Sequence, residues 1–167
     1  MLKAVNVYSL VALGSQYVVV LEEMDGPRLL PIWIGPAEGN AIAMHINNIK
    51  LPRPMTHDLI LNMLQSVHTA IKKIVITELK ESTFYALVVI QNGTQTFEVD
   101  ARPSDSIALA LRAAAPLFVD ESVFNQCEPL LKPISKEELD DFKTKLADLK
   151  PQDIYKDIKG KQDEEEK

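Results

Sequence analysis

The stretch Asp100-Ala101-Arg102-Pro103-Ser104-Asp105-Ser106-Ile107-Ala108-Leu109-Ala110-Leu111 constrains this chain more than any other. A strand is expected to end at Asp100 and a helix to begin at Ser104, with a tight Arg-Pro corner between them. A serine at a helix start can accept a backbone N–H that has no partner inside the helix, so Ser104 is the expected cap. Asp105 falls in the first turn, where the helix macrodipole favours negative charge. The residues after it are apolar almost all round, the pattern of a deeply buried helix. A fainter echo lies upstream in Arg53-Pro54-Met55-Thr56-His57-Asp58-Leu59. It again has Arg-Pro, a hydroxyl residue able to cap, an aspartate and then a helix. These two polar corners on apolar helices are the leading site candidates.

The flanking residues set the frame. Residues 3–12, Gln16–Glu22 and Arg28–Ile34 read as strands, separated by turns at Gly14-Ser15 and Asp25-Gly26. Pro31 cannot donate to a ladder, which places the third strand at an edge or at a bulge. Residues 36–49 and 56–68 read as helices, joined by the extended Leu51-Pro52-Arg53-Pro54 connector. Ile71–Leu79, Phe84–Gln91 and Thr94–Asp100 form a second run of strands, with Asn92-Gly93 as a hairpin turn. After the helix at 104–114 come a short buried strand at Pro116–Val119 and about one helical turn at Asp120–Gln126. The order is βββαα-βββα-βα: two strand meanders, each feeding a helix. The expected class is α+β, with a mixed, mainly antiparallel sheet packed with helices and a C-terminal helix. The expected units are a domain over residues 1–133, a helical extension over 134–160 that opens on a Ser135-Lys136-Glu137-Glu138 capping box, and a disordered charged tail over 161–167.

Charge and cysteine usage narrow the function classes. Net charge is −6, and residues 136–167 carry 8 Lys against 11 acids, leaving the rest mildly acidic too. That argues against a broad basic nucleic-acid footprint. A single cysteine, Cys127, excludes an intrachain disulfide and fits a reducing compartment. Met1–Asn6 lacks an apolar secretion core, and no apolar run reaches the roughly 18 residues a membrane span needs, so a cytoplasmic location without membrane contact is expected.

The order of motifs resembles the bifunctional nuclease domain family. The residues that carry the resemblance are Leu30-Pro31-Ile32-Trp33-Ile34-Gly35 with Glu38-Gly39, Arg53–Leu59, Phe84-Tyr85-Ala86, Asp100–Ala110 and Ala115-Pro116-Leu117-Phe118-Val119, within roughly residues 3–127. The resemblance implies an α+β domain, often dimeric, and nuclease activity on DNA and RNA. It hands over no catalytic residues, so the candidates rest on their own chemistry.

Phosphodiester hydrolysis commonly uses a divalent metal held by carboxylates, with a basic group to activate water. His57, Asp58 and Asp105 are the catalytic candidates. Glu38, Asp58 and Asp105 are the candidate ligands of a Mg or Mn ion. Arg53, Arg102, Thr56 and Ser104 are the candidate substrate-binding residues, since an arginine fork grips phosphate in a planar, bidentate way. Each has a structural reading beside the functional one: acids in first turns answer the helix dipole, and Arg-Pro corners brace the backbone. Both stay open for each residue, and the two corners are expected to face one cleft with Glu38 at its rim. The leading function is a metal-assisted nuclease. The alternatives are a non-catalytic dimeric binding or regulatory module and a hydrolase of a small phosphorylated ligand. The apolar Leu29–Ile34 strand, with Trp33, is the expected homodimer surface.

Overall fold

The computed structural model describes residues 1–133 and 136–150. Strands β1 (Leu2–Leu13), β2 (Gln16–Glu23) and β3 (Arg28–Ile34) run into helices α1 (Pro36–Ile46) and α2 (Thr56–Ser66). Strands β4 (Thr69–Lys80), β5 (Thr83–Asn92) and β6 (Gln95–Ala101) run into α3 (Pro103–Ala113). Then come β7 (Leu117–Asp120), α4 (Glu121–Gln126), β8 (Leu130–Leu131) and α5 (Lys136–Asp148). The α+β class and the repeated meander-plus-helix order are as expected.

Both meanders belong to one eight-stranded sheet of order β6-β5-β4-β7-β1-β2-β3-β8. The short β7 joins them, antiparallel to β1 and parallel to β4. Its parallel pairing follows from the route of the chain, because β4 reaches β7 through β5, β6 and the returning helix α3. Helices from both halves therefore share one face. Val19, Leu21 and Leu30 pack on that face with Ile42 of α1 and Ile107 of α3, all fully buried. Burying one such side chain contributes about 1.5–3 kcal/mol.

On the other face, Val18, Val20 and Leu29 pack with Phe142 and Leu146 of α5. A strand covered on both faces has no polar side to show, which explains the unbroken Tyr17–Leu21 apolar run. It also corrects the expected self-association surface. Leu29, Leu30, Ile32 and Ile34 are buried within the chain itself, and Trp33 packs against both clusters. Pro31 does sit on an open edge, since β8 pairs only with Arg28 and Leu29.

Several boundaries differ from expectation. Helix α1 stops at Ile46, and Asn48 takes a left-handed φ of 55°, so Ile49 lies in an exposed loop rather than on the helix. Helix α2 stops at Ser66, and His68, also at φ 55°, turns the chain into β4. The Ser135 capping residue and the charged tail lie outside the described residues.

Candidate functional site

Three helix starts converge on the helical face of the sheet. Glu38 is the third residue of α1, His57 the second of α2 and Asp105 the third of α3. Each start is fixed by its local sequence. Pro36 and Pro103 occupy first helical positions, where the missing N–H costs nothing. Asp58 Oδ2 accepts the backbone N–H of Met55 at 2.9 Å, fixing the start of α2. Gly39 lets α1 sit directly on β2, since a side-chain carbon there would lie 2.7 Å from Tyr17 Cβ and run into its ring. That close approach holds Glu38 over the start of α3.

One hydrogen-bonded chain links the three starts. His57 Nε2 lies 3.0 Å from Asp105 Oδ1. Arg102 Nε donates to Asp105 Oδ2 at 2.8 Å, and Arg102 Nη2 donates to Glu38 Oε1 at 2.6 Å. His57 is nearly buried, with a side chain 9% exposed, whereas the Arg102 side chain is 67% exposed. The chain thus runs from a buried imidazole to a guanidinium at the surface. Pairing with Asp105, and then with Glu38, raises the Arg102 pKa above its already high value, so the guanidinium stays charged at every accessible pH. An ionised Asp105 requires the shared proton to sit on His57 Nε2, which leaves Nδ1 as the basic atom of a neutral ring.

The other expected site residues lie elsewhere. Asp58 turns away from His57, as adjacent helical residues must, and Arg112 Nε donates to its Oδ1 at 2.9 Å. Burial pushes the Asp58 carboxyl up, but the Met55 N–H and Arg112 outweigh it and hold the carboxyl below the usual range. Arg53 lines a separate cavity beside Asp58 and Arg112. Ser104 does not cap α3: the helix starts at Pro103, Arg102 is the N-cap, and Ser104 is buried one residue inside. Thr56 is likewise the first helical residue, with Met55 as the N-cap. Helix α3 begins one residue earlier than expected because proline at 103 is itself ready-made for a first turn, while α2 begins at Thr56 as expected but is capped from within by Asp58. The two corners therefore do not form one cleft as expected. One supplies the His57–Asp105–Arg102–Glu38 chain, and the Arg53 side of the other faces the second cavity.

A divalent ion shared by Glu38 and Asp105 would compete directly with the Arg102 guanidinium, which bridges both carboxylates through Nη2. Asp58, the third expected ligand, is committed to Arg112. Among the described residues no three His, Cys, Asp or Glu side chains stand together as a ligand group. In this arrangement the residues do not fit a resident ion.

One organising residue carried no signal in the motif pattern. Arg112 lies in the last turn of α3 with its side chain 7% exposed, and it binds all three helices: Asp58 of α2, the Ala41 carbonyl of α1 at 2.9 Å, and the Ala108 carbonyl of its own helix at 3.0 Å. A lone arginine on an apolar helix was the available clue.

Comparison with known proteins bears on this constellation. The bifunctional nuclease domain model matches residues 19–131, a span that contains Glu38, His57, Arg102, Asp105 and Arg112. An uncharacterized protein of Mycobacterium tuberculosis is 37% identical over 149 residues, covering 84% of this chain and 89% of that protein. Bifunctional nuclease 1 of Oryza sativa subsp. indica is 28% identical over 129 residues, 74% of this chain but only 39% of the rice protein. Bifunctional nuclease 2 of Oryza sativa subsp. japonica is 27% identical over 114 residues, 66% of this chain and 35% of that protein. The chain thus spans well under half the length of these plant relatives.

Proposed function

The chain belongs to the bifunctional nuclease domain family, and from that premise we propose that it hydrolyses phosphodiester bonds in DNA and RNA at the His57–Asp105–Arg102–Glu38 chain. The observation that carries the reading is the continuous hydrogen bonding of these four side chains where three helix starts meet. Arg102 uses Nε and Nη2 on carboxylates and sits at the surface, so its remaining N–H groups are available to a phosphate oxygen. The free backbone N–H groups at the helix starts favour the same anion. Asp105 orients His57, and the free ring nitrogen takes the proton of the attacking water as its oxygen bonds to phosphorus; the P–O ester bond opposite breaks, and the departing ester oxygen takes a proton from solvent. A divalent ion would enter only by displacing Arg102 from Glu38 and Asp105.

The test is cleavage of single-stranded DNA and RNA by purified protein, with Mg²⁺, Mn²⁺, Ca²⁺ or Zn²⁺ and with a chelator alone. Cleavage that survives the chelator supports the arrangement as it stands. Cleavage only with metal supports a nuclease in which Arg102 yields to an ion. No cleavage in any condition would sink the enzyme and leave a non-catalytic binding module. One observation favours that second reading: Arg102 is already shared by two carboxylates.

The same reading includes a cytoplasmic location and a homodimer. Cys127 is buried and forms no disulfide, which fits a reducing compartment. Among the described residues no helix is long and apolar enough to cross a membrane. With both faces of β3 covered by its own chain and its open edge interrupted by Pro31, the dimer surface moves to β6, at the other end of the sheet, where Phe97 and Val99 are exposed. Light scattering is expected to give about twice the chain mass of 18.7 kDa. A monomer at micromolar concentration would refute the dimer.

A further inference from the structure

A second cavity, of about 330 Å³, lies beside the start of α2, where Met55 and Asp58 line it. Its lining includes His45, Lys50 and Arg53. The chain has four arginines. Arg28 is paired with Glu23, Arg102 with Glu38 and Asp105, and Arg112 with Asp58. Of the four arginines Arg53 alone forms no ion pair, and the Lys50 and His45 side chains lack partners as well. In a protein of net charge −6, Lys50 and Arg53 bring two unpaired cations to one cavity. The Arg112–Asp58 pair at the same cavity is internally neutral, so Lys50 and Arg53 set its sign.

Apolar groups stand beside these cations. Ile49 and Leu51 also line the cavity, and they are 55% and 50% exposed in a loop that buries neither of them. Pro52 and Pro54 stiffen that loop, so a ligand would lose little affinity to ordering it. Cations beside an exposed apolar wall suit a ligand with a phosphate and a flat, weakly polar face. Asp58 lines the cavity, and its neighbour His57 belongs to the site already described.

We propose that this cavity holds a flanking nucleotide of a single-stranded nucleic acid, its phosphate on Lys50 and Arg53 and its base against Ile49 and Leu51. The choice of ligand rests on the nuclease reading; sequence-tolerant single-strand binding pairs a positive groove with side chains that cover the base faces, usually aromatic, and here the aliphatic Ile49 and Leu51 take that place.

The test is fluorescence anisotropy of a short fluorescein-labelled oligothymidylate in the presence of EDTA, titrated over about 50–200 mM salt. Lys50→Ala with Arg53→Ala is expected to weaken binding about tenfold or more at the low-salt end, and to reduce the salt slope by about 1.4, at roughly 0.7 per lost single-strand phosphate contact. Lys72→Ala with Lys80→Ala removes the same charge from two exposed lysines of β4, and should keep affinity within about twofold. Wild-type protein that does not bind, a Lys50/Arg53 variant that binds like wild type, or a β4 control that loses as much would each overturn the proposal. His57→Gln, which removes the basic ring, should bind the probe normally. A protein that never cleaves but loses binding in the Lys50/Arg53 variant therefore refutes the nuclease and keeps the cavity.

Discussion

Replacing His57 with glutamine is expected to lower phosphodiester cleavage by about 10²–10⁴-fold, the range associated with loss of a positioned proton-transfer group. The choice of glutamine matters. Its amide can still donate to Asp105, replacing the 3.0 Å contact of the imidazole. It fills much of the same nearly buried space but cannot accept a proton at neutral pH. Alanine would remove the hydrogen bond and open a hole, mixing lost stability with lost chemistry. With His57→Gln, KM and the melting temperature should stay close to wild type while kcat collapses. Undiminished cleavage would show that His57 serves only to tie α2 to α3. Arg102→Lys is the companion: a lysine keeps the charge but cannot span Glu38 and Asp105 with a planar fork. If Arg102 holds the substrate phosphate, the loss should fall on KM as well as kcat.

The parts of this site differ in how far they could be read from the chain. Asp105 and Arg102 stood out because they share one strand-to-helix corner, where cap, dipole and turn signals fall within a few residues. Glu38 lies 64 positions from Arg102, and their bond depends on α1 packing beside α3. That packing depends in turn on Gly39 lying against Tyr17, which spacing cannot disclose. The two Arg-Pro corners looked alike for good local reasons, yet Arg102 enters the site and Arg53 does not. Helix direction decides this: at the start of α2 the inward side chain is His57, and the residues before Met55 still belong to the exposed connector. The two meanders were legible because alternation and turn residues are local signals. The insertion of β7 between β1 and β4 is set by how two halves of the chain dock.

The largest stability effect should come from Arg112, a residue outside the reacting chain. Arg112→Ala is expected to cost about 2–4 kcal/mol, or roughly 5–15 °C in melting temperature for a domain of this size. The ion pair with Asp58 is the smaller part, because the Asp58 side chain is 41% exposed and solvent screens the attraction. The larger part is the loss of charge-assisted bonds to the Ala41 and Ala108 carbonyls and of a buried stem between three helices. Arg112→Met separates these two, since it restores the stem without the bonds. Acid should reveal the Asp58 share. The folded state holds that carboxyl below its unfolded value of about 3.9. Its contribution is therefore full above that value and fades as pH falls through the folded pKa. The gap between wild type and Arg112→Ala, measured by thermal melts, should be widest near neutrality and narrow below about pH 4. It should not close, because the carbonyl bonds do not titrate. A gap that stays constant with pH would show that Asp58 gains nothing from Arg112. Cleavage should fall as well, because Arg112 braces α2 against α1 and α3 and so keeps His57 within reach of Asp105. Adding Arg112→Ala to His57→Gln should then lower stability further with little added loss of rate, since the group that Arg112 positions is already gone.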